Sequence, residues 1–155
     1  SILDKKFFVE YDEQENDFVD KFVSFIEIPF PYAFNDEFFK WFEYKEWERL
    51  KGIFKEMKRR RGDGKAIKID LSFSGEPKIR FLVELDEGQW FRTAVEKIDF
   101  VVELLPYHLN PQKLPTNTVE IVYGFDKDSV RWKVNHAITD KQKFVNSDDD
   151  WKVII

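Results

Sequence analysis

Apolar and polar positions alternate along this chain with two different periods, and the change of period divides it into strand pairs and helices. Ile67, Ile69, Leu71 and Phe73 alternate with polar neighbours, and Ile79, Phe81, Val83 and Leu85 repeat the pattern. Ser74-Gly75-Glu76-Pro77 between them has the composition of a turn. This predicts a hairpin with one apolar face and one wet face bearing Lys68, Asp70, Arg80 and Glu84. A second pair is expected over 6–11 and 19–28, joined across the acidic stretch 12–17. There Val23 and Phe25 oppose Phe22 and Ile26, so cover on both faces, or pairing with another subunit, is expected. A third pair spans 119–125 and 130–135 and turns at Asp126-Lys127-Asp128-Ser129, and a shorter one joins 143–145 to 151–155.

Two stretches switch to the helical period. In the first, Phe39, Phe42, Trp47, Leu50, Ile53, Phe54 and Met57 gather on one face at about 100° per residue. It opens on Asn35-Asp36, which suits an N-cap, and closes at Gly62 after the cationic turn Lys58-Arg59-Arg60-Arg61. Glu43 and Glu46 interrupt its stripe, so either the chain kinks near Tyr44 and the phase resets, or two acids look inward. In the second, Trp90, Phe91, Ala94, Val95, Ile98, Val101, Val102 and Leu105 keep the same period over 89–105. A strand over 98–104 competes, but the longer helical match favours helix, ending at Pro106. Residues 106–117 hold three of the six prolines and read as a semi-rigid connection.

The expected fold is therefore a single α+β domain over 1–155. It is a mainly antiparallel sheet of six to eight strands with two main helices on one face, in the order ββαββαββ. Parallel crossovers at the helical connections would make the sheet mixed.

Composition narrows the chemistry. The 17 Phe, 5 Trp and 5 Tyr either make the core unusually aromatic or leave rings over for a partner surface. Without cysteine there is no disulfide, thiolate metal site or cysteine nucleophile. No apolar run reaches the length of a membrane span and no leader pattern opens the chain, so a soluble, cytoplasmic protein is expected. The net charge of −5 argues against bulk nucleic-acid or anionic-membrane binding. The 35% of charged residues, with few thermolabile ones, is thermophile-like.

Several constellations carry candidate chemistry. Lys58, Arg59, Arg60 and Arg61, with Lys65 and Lys68, could contact phosphates, with or without a metal-dependent phosphodiester cleavage. The plainer account is that cations stabilise the negative end of a helix and Gly62 ends it. Glu43 and Glu46, or His108 in the proline-rich loop, could serve a small hydrolase or isomerase as acid or base. Asp148-Asp149-Asp150 and Asp126-Lys127-Asp128 lack the spacing and glycine of a calcium loop, so no metal is expected. Asp63 with Glu76-Pro77-Lys78 is similar to the acid and Glu-x-Lys set of metal-dependent nucleases, but Pro77 cannot donate to a central ladder. His136 continues the face of Val130, Trp132 and Val134 as a strand-end histidine. No serine elbow, phosphate loop or dinucleotide fingerprint is present, and no cofactor is expected.

Aromatic clusters remain at Phe30-Pro31-Tyr32-Ala33-Phe34, Trp41-Phe42 and Trp90-Phe91. Trp41 and Tyr44 face away from the helix stripe. With Phe30 and Tyr32 they are the candidate partner-binding residues, the alternative being that Pro29-Phe30-Pro31-Tyr32 folds back over them. The leading expectation is a non-catalytic binding protein with a protein partner or a second copy of itself. Nucleic-acid binding comes second and a small enzyme third.

Overall fold

The fold is that of a computed structural model describing residues 10–16, 21–64 and 67–155, with the backbone alone described for 10–16 and 21–23. Eight strands form one sheet whose spatial order is the chain order: β1 (Glu10–Asn16), β2 (Lys21–Phe30), β3 (Ile67–Phe73), β4 (Lys78–Val83), β5 (Thr118–Asp126), β6 (Arg131–Thr139), β7 (Lys143–Ser147) and β8 (Asp150–Val153). The helices are α1 (Asp36–Phe42), α2 (Tyr44–Arg61), α3 (Gly88–Lys97), a 3-10 segment (Asp99–Leu104) and the single turn α4 (Leu105–His108).

The α+β class holds, but the sheet is mixed rather than antiparallel throughout. β2 runs parallel to β3 and β4 parallel to β5, while the remaining neighbours are antiparallel. The reason is topological. Each parallel junction is where a helical stretch carries the chain back along the sheet, and parallel neighbours require such a crossover. The two expected helices are also broken, the first at Glu43 and the second after Lys97.

The break at Glu43 resolves the interrupted stripe. Its backbone is left-handed at φ 72°, and its N–H closes α1 on the carbonyl of Phe39 while its own carbonyl accepts from Trp47 N to open α2. The phase resets there, so Phe38, Phe39 and Phe42 point inward from α1 and Trp47, Leu50 and Phe54 from α2. Asn35 caps α1, accepting from Phe38 N at 3.1 Å. Pro106 does not end the second helical stretch. It occupies the first turn of α4, where a missing N–H has no partner to lose.

All these helices cover one face of the sheet. Ile26, Ile28 and Phe30 of β2, Ile69, Leu71 and Phe73 of β3, Phe81 and Val83 of β4, and Ile121 and Tyr123 of β5 meet the helical rings in one core. Phe38 packs edge-on against Phe30 (4.9 Å) and Phe73 (5.1 Å), and Trp47 stands edge-on to Phe39 at 5.3 Å. Burying each such ring contributes about 2–3 kcal/mol. The opposite face stays half open. There Arg80 binds Asp70 at 2.7 Å and Glu120 at 3.4 Å, a charged ladder across β3, β4 and β5.

Two further expectations change. The acidic stretch 12–17 is not a turn, because Glu10–Asn16 pairs with β2; the part of the first expected strand before Glu10, and residues 17–20, lie outside the described residues. His136 does not continue the face of Trp132. The register shifts between Val122 and Tyr123, pairing Tyr123 with Val134 but Val122 with His136. Asn135 is the extra residue, and the bulge turns His136 to the open face. Among the described residues no helix is long and apolar enough to cross a membrane.

Candidate functional site

The basic run is consumed by the fold. Lys58 is buried, with its ammonium 5.8 Å from the centre of the Phe91 ring. Burial lowers its pKa, against the opposing pull of Asp86 and Asp63. Arg59 and Arg60 both turn back to Glu56, at 2.6 and 3.1 Å, and hold that carboxyl down at about 2. Arg61 is half-buried. Lys68 lies over the Phe25 ring at 5.3 Å and reaches Glu84 at 3.9 Å. Lys65 lies outside the described residues. Asp63 accepts from Gly88 N at 2.7 Å, so it serves the start of α3, and Glu76 lies in the exposed turn between β3 and β4.

Between α2 and α3 lies a charge network that periodicity did not announce. Lys51, almost wholly buried, reaches Glu48 (2.9 Å), Asp99 (3.0 Å) and Glu96 (3.4 Å). Trp47 Nε1 donates to the same Asp99 oxygen at 3.1 Å, and Lys55 pairs with Glu96. Three acids, Glu48 on the same helix and Glu96 and Asp99 across from it, explain why Lys51 tolerates burial.

The candidate acids lie together at the start of α2, and the candidate base lies apart from them on α4. Glu43 is exposed at the helix break. Glu46, in the first turn of α2, meets Arg49 at 3.5 Å, while its Oε2 is buried with no hydrogen-bond partner among the described residues. His108 closes α4, its Nδ1 2.9 Å from the Tyr123 hydroxyl. Burial, then Arg131 and Lys113, lower the His108 pKa, and burial raises that of Tyr123. A groove of about 550 Å³ runs along α2 past Arg49, Gly52, Ile53, Glu56, Met57 and Arg60. Neither Glu43 nor His108 lines it. Among the described residues no group of three or more metal-ligating side chains converges.

The expected partner rings are largely used internally. Phe30 is 2% exposed and stacks on Phe73, so it belongs to the core. Tyr32 folds back on Trp41 at 4.3 Å, leaving Trp41 half-buried. Tyr44 stacks on Phe39 yet remains 56% exposed.

The larger apolar surface lies elsewhere, on the 3-10 segment and α4. Phe100, Leu104 and Tyr107 are 61%, 41% and 67% exposed. All three stand on one short stretch, 100–107, an exposed apolar ridge. Neither ring has an aromatic neighbour among the described residues. A helical wheel over 89–105 does hold the signal, since Phe100 falls outside its apolar stripe. No protein-family model matches the chain, and no curated protein or solved structure is significantly similar to it.

Proposed function

We propose that this chain is a non-catalytic binding protein that associates with a second copy of itself through the ridge of Phe100, Leu104 and Tyr107. The observation that carries the reading is their joint exposure on one short segment, when most of the other rings are buried. Along the chain the ridge is close to symmetric, an aromatic residue on either side of a leucine. A two-fold axis beside Leu104 sets Phe100 of one copy against Tyr107 of the other, the isologous arrangement a homodimer needs. Three side chains cover well under the roughly 800 Å² per partner of a standard interface, so the dimer should be weak and concentration-dependent.

Light scattering over a concentration series tests this. The mass should climb from monomer towards dimer, and Phe100→Ser with Tyr107→Ser should hold it at monomer while the circular dichroism spectrum stays unchanged. A wild-type chain that remains monomeric throughout rejects the reading.

The nucleic-acid alternative draws less support, because Lys58 is buried and Arg59 and Arg60 are spent on Glu56. It requires that replacing Arg59, Arg60 and Arg61 by Ala flatten the salt dependence of oligonucleotide binding. The enzyme alternative needs Glu43, Glu46 or His108 to converge with another group, but the two acids stand together at the start of α2 and His108 stands apart from them on α4.

A further inference from the structure

We propose that the hydrogen bond between His108 and Tyr123 is an acid-sensitive clamp, holding α4 and the proline-rich segment after it on the sheet and releasing them when the histidine is protonated.

The geometry sets the proton positions. Tyr123 lies fully buried in β5, stacked on Phe81 at 4.9 Å, and His108 is the one hydrogen-bond partner of its hydroxyl among the described residues. A phenol this deep stays protonated and must donate. Nδ1 of His108 is therefore the bare nitrogen, and the ring proton sits on Nε2. A second proton, on Nδ1, reverses the bond. The tyrosine oxygen then accepts, its own hydrogen loses its acceptor, and a buried donor is stranded beside an imidazolium.

The surroundings make that charge unwelcome. The charged groups acting on His108 are Arg131 at the head of β6 and Lys113 in the following loop, both cations. Burial is the larger influence, and all three lower the pKa below the ordinary 6.5. A released histidine regains the ordinary value, so the clamp is at full strength above about pH 6.5 and is lost as pH falls through the depressed value.

The segment's other ties are Leu105, Leu109 and Leu114, which are only partly buried against the core, and the Trp151 indole, which donates to Lys113 O at 2.7 Å. Local opening with the sheet intact is the expected response. His136, turned to the open face beside Lys143, supplies an internal comparison, because it has no part in this bond.

Amide protection by NMR, corrected for intrinsic exchange, tests the clamp between about pH 7.5 and about pH 5. The reporters are Leu109 N–H, bonded to Leu105 O, and Lys113 N–H, bonded to Asn110 O. In the wild type both should lose protection severalfold on acidification while Leu71 and Phe81 keep theirs. His108→Gln offers an acceptor that does not titrate, and it should keep Leu109 and Lys113 protected at both values. Equal protection at both pH values in the wild type, or the same acid loss in His108→Gln, overturns the proposal. Tyr123→Phe adds a reading that does not depend on that variant: without the hydroxyl, the His108 titration midpoint should rise, whereas an unmoved midpoint also overturns the clamp.

Discussion

Asp63 and Gly88 lie 25 residues apart and are joined by a 2.7 Å hydrogen bond from the backbone N–H of Gly88 to the Asp63 carboxylate. Glu87, the residue before α3, makes no capping bond of its own, so the loop that ends α2 supplies the cap for α3. A Cβ on Gly88 would come within 3.2 Å of that carboxylate oxygen and 3.0 Å of the Arg92 guanidinium, so a larger residue there would press on the side chains that make the cap. The turn after the basic run thus reads as a structural staple.

Removing that acceptor should be costly, and replacing it should not. Asp63→Ala is expected to lower the unfolding free energy by about 1 kcal/mol, as for loss of an N-cap. Asp63→Asn, which keeps an oxygen in place, should recover most of it. Urea denaturation midpoints compare the two; an equal loss from both variants would show that the hydrogen bond is not what matters.

The network between α2 and α3 predicts an asymmetry. Asp99→Ala strands both the Trp47 indole N–H and one side of the buried Lys51 ammonium, and should cost about 3 kcal/mol. Lys51→Met removes the buried charge itself and fills the same space, so its cost should be smaller. Chemical denaturation of the two variants side by side gives the order, and a larger loss for Lys51→Met would reject the argument.

Much of the layout was legible because it rests on strict periodicity. The central hairpin falls on β3 and β4 because Ile67 to Phe73 and Ile79 to Val83 must all reach one core. Even the acids in the first helix were informative, since a stripe broken by Glu43 and Glu46 left either a kink near Tyr44 or two inward acids, and the chain breaks at Glu43. What local pattern could not carry was anything set by tertiary geometry. The left-handed turn at Glu43, the extra residue at Asn135 and the parallel registers depend on partners distant in sequence. Tyr32 folding back over Trp41 was one of the two readings the sequence left open, whereas the bare Phe100–Tyr107 ridge is a consequence of how segments fold over one another.

The bulge at Asn135 has its own signature on the neighbouring strand. A Cβ built on Gly124 would overlap the Asn135 amide nitrogen, so the glycine makes room for the side chain that the bulge throws across β5. Gly124→Ala should therefore destabilise by about 1–2 kcal/mol, in the range of an overpacked site. Adding Asn135→Ala should restore most of that loss, giving a coupling energy of similar size. Thermal unfolding of the four-member cycle measures it, and additive losses would mean that the two residues do not compete for one space.

The hairpin between β5 and β6 predicts an acid limb of stability. Asp126 accepts from the Ser129 hydroxyl and backbone and pairs with Lys133 at 3.0 Å, contacts that bring its carboxyl from the ordinary 3.8 down to about 2. A carboxyl depressed in the fold stabilises it above its unfolded pKa and loses that contribution as pH falls through the folded one. The hairpin should accordingly be firm above about pH 4 and weaken towards about pH 2. Carboxyl-carbon NMR can follow Asp126 directly, with a midpoint expected near 2 in the wild type and closer to 3.8 in Ser129→Ala and Lys133→Met. The Ser129 hydroxyl is the largest single influence and Lys133 acts through both a hydrogen bond and its charge, so an unmoved midpoint in either variant would reject that contact as a cause.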